Sequence, residues 1–246
     1  MDALDRLAGS ADGLLTRVDG TLGRSGAPGG HPIWPLLRRV GALPGAAVLA
    51  VSGLRSAPLE AAAPSLRRLA LEYADASAVV AVTRPTDAGR GRARDRIGVV
   101  ADDGALPAAA AGAGAGWEGA AAEAFTEQWI ALSAYVAGEG ESLSARLEAT
   151  AAHADSVAAW MARTRDAVAE VLARVLVSAE AVAVVTGGPA ADGWIARDAA
   201  PAAVRACADI GAAVLAPIAR AYQQAGDLAE GWTPRLAELP YRPRPF

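Results

Sequence analysis

Residues 141–186 read ESLSARLEATAAHADSVAAWMARTRDAVAEVLARVLVSAEAVAVVT, and this stretch decides the predicted fold. Apolar and small residues recur in it in alternating steps of four and three, the spacing that lines one seam of an α-helix. The seam consists of Leu143, Leu147, Thr150, Ala154, Val157, Met161, Thr164, Val168, Val171, Val175, Ser178 and Val182. A helix of about 45 residues extends about 67 Å, so it needs neighbours along its length. We therefore predict a helical hairpin, a bundle or an inter-chain coil.

Helical patterns also flank this segment on both sides. We predict an all-α fold, with a long antiparallel helical hairpin or bundle and additional N- and C-terminal helices. Residues 1–56 form an N-terminal helical segment, and residues 57–186 form the hairpin. Residues 84–116 are a loop inserted into the hairpin, since they are rich in Gly and charge. Residues 187–246 supply a C-terminal helix and a Pro-rich tail.

The helices of this scheme have approximate predicted bounds. In chain order they are an amphipathic helix over 4–22, a short helix over 33–43, a first arm from 64 to 84, a second arm over 120–137, the long helix over 141–186 and a final helix over 192–225. Gly and Pro residues set most of these ends, because both residues disfavour continuation of a helix.

Charge and hydropathy narrow the possible partners. The formal net charge is −4, and all 23 basic residues are Arg. An acidic chain without a broad basic face is a poor ligand for nucleic acid or anionic lipid, so we expect neither as a partner. The apolar runs at 40–54, 171–185 and 207–219 are shorter than the roughly 20 residues of a membrane span. They are interpreted as buried or interfacial helices, and no stable membrane span is expected.

The N-terminal segment carries Asp2 and Asp5 before any apolar run, which is not the pattern of a Sec signal peptide. The sequence therefore leaves two locations open. The protein is cytosolic, or it leaves the cell by another route.

Residues with chemical potential are few and dispersed. His31 and His153 stand in no metal-ligand spacing, and Cys207 is the single cysteine, among alanines where a small thiol packs well. Asp102 and Asp103 precede a glycine, a pattern typical of a turn. We predict no catalytic, cofactor or metal site, no cofactor, and a protein that is not an enzyme.

The segment Gly116-Trp117-Glu118-Gly119 stands at the start of the second arm. Gly119 can adopt backbone angles closed to other residues and allows another backbone to approach closely. Trp117 offers a large flat apolar surface beside it. The pair predicts a turn that opens a helix and fixes a corner between two helices.

This order of helix, Trp-x-Gly turn and helix resembles the Trp-x-Gly family of ESX-type (type VII) secreted helical hairpins. The resemblance covers residues 58–185. It implies two antiparallel helices about the Trp117/Gly119 turn, association into dimers, and export from Gram-positive cells without a classical signal peptide. Family members also carry a Tyr-x-x-x-Asp/Glu export signal, which Tyr135 and Glu139 match in spacing, here within the second arm.

The resemblance implies a non-enzymatic substrate or component of ESX-type secretion that acts through helix-mediated assembly. Its partners are the type VII machinery and either a second copy or a related helical hairpin. The residues expected to supply most of the association energy along the interaction seam are Leu147, Val157, Met161, Val168 and Val171.

Two alternatives stay open at the level of sequence. One is a cytosolic helical scaffold or adaptor in which Trp-x-Gly is only a packing corner. The other is a delivery domain fused to a small effector in the C-terminal third of the chain.

Overall fold

The computed structural model describes residues 2–82, 119–137, 142–186 and 201–236. These residues form α-helices and short connections, without a strand among them, which confirms the all-α prediction. The helices are α1 (Ala3–Ser25), α2 (Ile33–Val40), α3 (Pro44–Ser52), α4 (Ala57–Val82), α5 (Ala120–Ala137), α6 (Leu143–Leu176), α7 (Ala179–Thr186) and α8 (Pro201–Leu236). The hairpin arrangement, and with it the three-part division of the chain, stays a prediction. The inserted loop and the Pro-rich tail lie outside the described residues.

The helix ends follow local chemistry where the sequence carries a clear cap. Asp2 caps α1, because its Oδ1 accepts a hydrogen bond of 2.9 Å from the Asp5 N–H. Gly41 ends α2 with φ of 70°, in the left-handed region that favours glycine. The predicted second arm corresponds in both bounds to α5.

The long predicted helix is not continuous, which corrects the prediction. Helix α6 ends at Leu176, and α7 begins at Ala179 after a turn at Val177 and Ser178. The physical reason is a cap within the seam: Ser178 Oγ accepts a hydrogen bond of 3.1 Å from the Ala181 N–H. The four-and-three spacing continues across this turn, and so the periodicity alone conceals it.

Helices α4 and α8 extend beyond their predicted bounds. Helix α4 begins at Ala57, seven residues before Pro64, because the Ser56 carbonyl already accepts hydrogen bonds from Leu59 and Glu60. Pro64 therefore lies inside the helix. Helix α8 continues past Gly226 to Leu236, as its neighbouring Ala, Leu, Gln and Glu residues favour helix.

The chain divides into two compact units, each drawn from separate stretches of sequence. Unit 1 comprises residues 1–61 and 153–234, and unit 2 comprises residues 62–152 and 235–246. In unit 1 the apolar faces of α1, α3, α7 and α8 and the second half of α6 share one core. Helix α1 packs directly against α3 and α7. Its core side chains are Leu4, Ala11, Leu14, Leu15, Val18 and Leu22, at the helical spacing that the sequence shows.

Close packing in unit 1 centres on Gly211 of α8. A Cβ at this position would lie 2.6 Å from Ile33 Cδ1, 3.1 Å from Pro44 Cγ and 3.2 Å from Leu22 Cδ1. Ile33 is itself fully buried, so displacing its side chain would disturb the surrounding core. The absence of a side chain at Gly211 therefore allows residues of α1, α2 and α3 to meet α8 at one point.

A carboxylate from α1 orients the start of α3. The Asp19 oxygens lie 3.0 and 3.1 Å from the backbone nitrogen of Gly45, in the first turn of a helix whose N-cap residue is Leu43. Burial raises the pKa of this carboxyl, and the hydrogen bonds from Gly45 and Ala46 oppose that rise. Asp19 thus replaces the cap that the local sequence lacks.

Unit 2 contains α5 together with parts of α4 and α6. Its buried side chains include three alanines, Ala63, Ala70 and Ala151. Arg67 of α4 donates through Nε to Glu148 of α6 over 3.3 Å, which places these two helices side by side within the unit. Small buried side chains permit a short distance between helix axes.

A matched pair of glycine substitutions in α8 tests this packing. Gly211→Ala inserts a methyl group into filled space and should lower the free energy of unfolding by about 1–3 kcal/mol. The higher helix propensity of alanine offsets part of this loss. Gly226→Ala has nothing within 4 Å of the new Cβ and should raise stability by roughly 0.5–1 kcal/mol. Urea unfolding of both variants measures the difference. Equal effects would contradict the close approach at Gly211.

Candidate functional site

Of the Trp-x-Gly turn, the structure describes only Gly119. Gly119 has φ of 103°, a backbone region that other residues rarely adopt. Its carbonyl accepts the first hydrogen bonds of α5, from Ala122 N–H at 2.9 Å and Glu123 N–H at 3.1 Å. The glycine thus occupies the N-cap position of α5. Trp117 lies outside the described residues, as does Glu139, and their predicted roles stay predictions.

Helix α5 has an unusual relation between composition and burial. Its sequence is AAAEAFTEQWIALSAYVA, with Glu123 and Glu127 as the only acidic or basic residues, yet none of its side chains is buried. Phe125, Ile130 and Leu132 are exposed, while Tyr135 is half-buried. A mostly apolar helix is normally enclosed by its own protein, and an exposed one marks an interaction surface.

Some residues of the predicted interaction seam are buried in the core, and others are only half-buried. Val168 and Val171 are buried in the core of unit 1, so they stabilise this chain itself and are not accessible to a partner. For these two residues the intermolecular role is corrected, because α1 and α8 already share their core. Leu147, Val157 and Met161 are half-buried, and their role in association stays a prediction.

Unit 1 contains a buried arginine that the sequence pattern did not predict. Arg165 of α6 is 7% exposed and uses all three of its guanidinium nitrogens. Nε and Nη2 contact Asp2 Oδ2 at 2.8 and 2.5 Å, and Nη2 contacts Asp5 Oδ1 at 2.8 Å. Nη1 donates to three carbonyls at the C-terminal end of α3, those of Val51, Ser52 and Leu54. We call this group the Arg165 cluster.

The Arg165 cluster joins the beginning of α1, the end of α3 and the middle of α6. Burial alone would lower the pKa of Arg165, but the hydrogen bonds that it donates to the Asp5 and Asp2 carboxylates outweigh burial and raise that pKa. A buried guanidinium needs such partners, since an uncompensated charge in the interior is strongly destabilising. No sequence motif shows this cluster, because its members are separated by more than a hundred residues. One available signal is the pair of aspartates at the start of α1.

The contacts made by the remaining candidate residues, His31, Cys207 and His153, are those of packing and hydrogen bonding within the fold. His31 is buried; its Nε2 lies 2.9 Å from Asp209 Oδ1, and its Nδ1 accepts a hydrogen bond from the Ile33 N–H. Cys207 is buried in the core, as its neighbours in the sequence predicted, and burial raises the pKa of its thiol. His153 lies 5.2 Å from the Trp232 ring. Among the described residues no three His, Cys, Asp or Glu residues stand close enough to hold a metal ion.

Two surface clefts in unit 1 carry balanced charge. One, of about 620 Å³, is lined by Arg39, Arg220, Asp227 and Glu230 together with neutral residues. The other, of about 460 Å³, has Arg174, Arg220, Glu180 and Asp209 around an apolar floor. Each cleft thus opposes two arginines with two carboxylates. Neither arrangement selects a ligand of one charge.

Within the described part of the chain one helix, α8, is long and apolar enough to cross a membrane, judged by length and composition alone. A second such segment is counted only if α2 and the residues that follow it, 44–75, are taken together as one span with a bend of 45°. A helix in a protein core satisfies the same criterion. In α8, 56% of the apolar window is buried within the fold.

The Arg165 cluster makes stability depend on pH in a defined direction. Hydrogen bonds from the Asp5 N–H and from Arg165 hold the pKa of Asp2 below its ordinary value of 3.8. Its contribution to stability is therefore complete above pH 3.8 and is lost as the pH falls through the lowered pKa. Asp2→Asn should lower the melting temperature at pH 7, and this deficit should shrink toward pH 2.

Asp12→Asn, at an exposed position of the same helix, is the matched control and should change little at any pH. Melting curves at several pH values make the measurement. A deficit of the Asp2 variant that is constant with pH would contradict an ionic role for this residue.

Comparisons with known proteins return no relative. No family model, no curated protein and no solved structure matches the chain. The residues of this chain itself, and above all helix α5, which has no buried side chain, carry the indications of function.

Proposed function

We propose that this chain is a non-enzymatic substrate or component of ESX-type (type VII) secretion that acts through helix-mediated assembly. The observation that carries the proposal is α5, an apolar helix without a buried side chain that begins directly at the glycine of a Trp-x-Gly motif. An exposed apolar helix is costly to keep in water unless a partner covers it for part of its working life.

The surface of α5 fits a protein partner in its chemistry. Aromatic side chains are enriched at the centre of interfaces, and Phe125 and Trp129 stack here with ring centroids 5.9 Å apart. The exposed side chains of Phe125 and Leu132, together with the half-buried Trp129, offer the large apolar contacts that supply most binding energy. The acidic residues of α5 disfavour nucleic acid and anionic lipid as alternatives.

Export is the part of the proposal that rests on the motif. Tyr135 lies on α5, four residues before Glu139, in the Tyr-x-x-x-Asp/Glu spacing. Gly119 and Tyr135 thus stand at the two ends of one helix, 16 residues apart, which corresponds to about 24 Å along its axis. We infer that the secretion machinery recognises α5 together with its two ends as one binding surface.

Extracellular abundance in the native host tests the proposal. The wild-type chain should accumulate outside the cell beyond a cytosolic marker of lysis. Trp117→Ala and Tyr135→Ala should each reduce secretion at least tenfold while circular dichroism shows an unchanged helix content. Tyr222→Ala, at an exposed tyrosine of α8, is the matched control and should be secreted like the wild type.

Strict intracellular retention of the wild-type chain would overturn the secretion role and favour the cytosolic scaffold. Equal loss of helix content and export in the Trp117 variant would instead assign this residue to the core.

A further inference from the structure

The cleft of about 460 Å³ in unit 1 lies along two antiparallel helices, α6 and α8. The rings of His153 in α6 and Trp232 in α8 are 5.2 Å apart, and further along α6 Trp160 Nε1 donates a hydrogen bond of 3.1 Å to the Ala221 carbonyl. Later residues of α6 therefore lie beside earlier residues of α8. We call this cleft the α6–α8 cleft.

Carboxylates stand at one end of the α6–α8 cleft and an arginine stands at the other. The lining residues of α8 extend from Asp209 to Arg220, about 17 Å along the helix axis. Glu180 follows the end of α6 and so lies at the Asp209 end, because the helices are antiparallel. Arg174 also lines this end, but its Nη1 pairs with Glu170 Oε1 at 2.8 Å. Within the described part of the chain, neither Glu180 nor Arg220 has an ion-pair partner.

A buried histidine holds the Asp209 carboxylate in place. His31 Nδ1 accepts a hydrogen bond of 3.2 Å from the Ile33 N–H, so this nitrogen carries no proton. The ring proton is therefore on Nε2, which donates to Asp209 Oδ1 over 2.9 Å. In this form His31 is uncharged and does not compensate the negative charge of Asp209. The Asp209 side chain is 45% exposed, which leaves it accessible to a cation in the cleft.

The floor between the two charged ends is apolar. Val171 and Val175 of α6 and Ile210 of α8 line it and are buried. The lining residues Ala213 and Ala216 are short, so α8 places no long side chain between the ends. A ligand that contacts this floor gains from the removal of apolar surface from water. The volume of the cleft is within the range of ordinary ligand sites.

We propose that the α6–α8 cleft binds an extended peptide segment of a partner protein, with a basic side chain and an acidic side chain four residues apart. The basic side chain pairs with Asp209 and Glu180, and the acidic side chain pairs with Arg220. The cleft belongs to unit 1 and α5 belongs to unit 2, so this inference goes beyond the proposed function and does not depend on it.

The geometry of an extended chain matches the length of the cleft. Residues 1, 3 and 5 of such a segment face the same side, and residues 1 and 5 are about 13–14 Å apart. Their side chains span the remaining distance to the two charged ends, and residue 3 contacts the apolar floor. A free amino acid carries its amino and carboxylate groups on one carbon atom and cannot reach both ends.

Charge complementarity makes the cleft selective and leaves the affinity modest. Ion pairs at an exposed rim contribute little to affinity, but like charges placed opposite each other disfavour the wrong ligand. A peptide with two acidic or two basic side chains meets its own sign at one end. We therefore expect a dissociation constant on the order of 1 mM for a five-residue peptide, with a clear preference for opposite charges.

NMR titration of the ¹⁵N-labelled full chain tests the proposal. The probe is the peptide acetyl-Arg-Ser-Val-Ser-Glu-amide, whose blocked ends carry no charge. The amide resonances of residues 209–220 should shift and reach saturation. The matched peptides acetyl-Glu-Ser-Val-Ser-Glu-amide and acetyl-Arg-Ser-Val-Ser-Arg-amide should bind at least tenfold more weakly.

Arg220→Glu should reverse the preference among these peptides. The variant has carboxylates at both ends of the cleft, so its affinity for the Arg/Glu peptide should fall at least tenfold. Its affinity for the Arg/Arg peptide should rise above that for the Arg/Glu peptide. Arg38→Glu, at an exposed arginine of α2 outside the cleft, makes the same change of charge and should leave the wild-type preference intact. Circular dichroism checks that both variants keep their helices.

Three results would each overturn the inference. One is the absence of saturable shifts at about 10 mM of the Arg/Glu peptide. Another is equal binding of the three peptides, and the third is an unchanged preference in Arg220→Glu. None of them bears on secretion, which is measured separately by extracellular abundance.

Discussion

The close approach at Gly211 is the constraint on which unit 1 depends. Helix α8 meets residues of α1, α2 and α3 at this one position, and a side chain there would collide with Ile33, Pro44 and Leu22. The remaining contacts can then use small and β-branched side chains, because the helices already lie close together. Alanine-rich composition is consistent with this design: short distances between helix axes replace the large aromatic side chains that most cores contain.

The two units use apolar surface in opposite ways. In unit 1 the apolar residues of α1, α6 and α8 are enclosed, and a buried arginine is compensated by two carboxylates and three carbonyls. In unit 2 the most apolar described helix, α5, has no enclosed side chain. The apolar core and the compensated charge therefore stabilise unit 1. Unit 2 carries the surface from which the proposed assembly and export follow.

The sequence pattern predicted the all-α class, both bounds of α5 and the amphipathic character of α1, because each rests on neighbouring residues in one helix. It missed the turn at Val177 and Ser178, where a serine cap interrupts a seam without changing its spacing. The Arg165 cluster and the burial of Val168 depend on contacts between distant parts of the chain. No local pattern contains that information, and for the same reason the seam alone does not distinguish packing within the chain from packing between chains.

Unit 1 is discontinuous in sequence, and this has a consequence for synthesis. Helix α1 leaves the ribosome before the rest of unit 1, and Arg165, which holds its first turn, is made about 160 residues later. At 5–20 residues per second the delay is on the order of ten seconds or more. During that time α3 is available to cover the apolar face of α1, while α7 and α8 have not been made. The core of unit 1 can therefore close only after α8 has been synthesised.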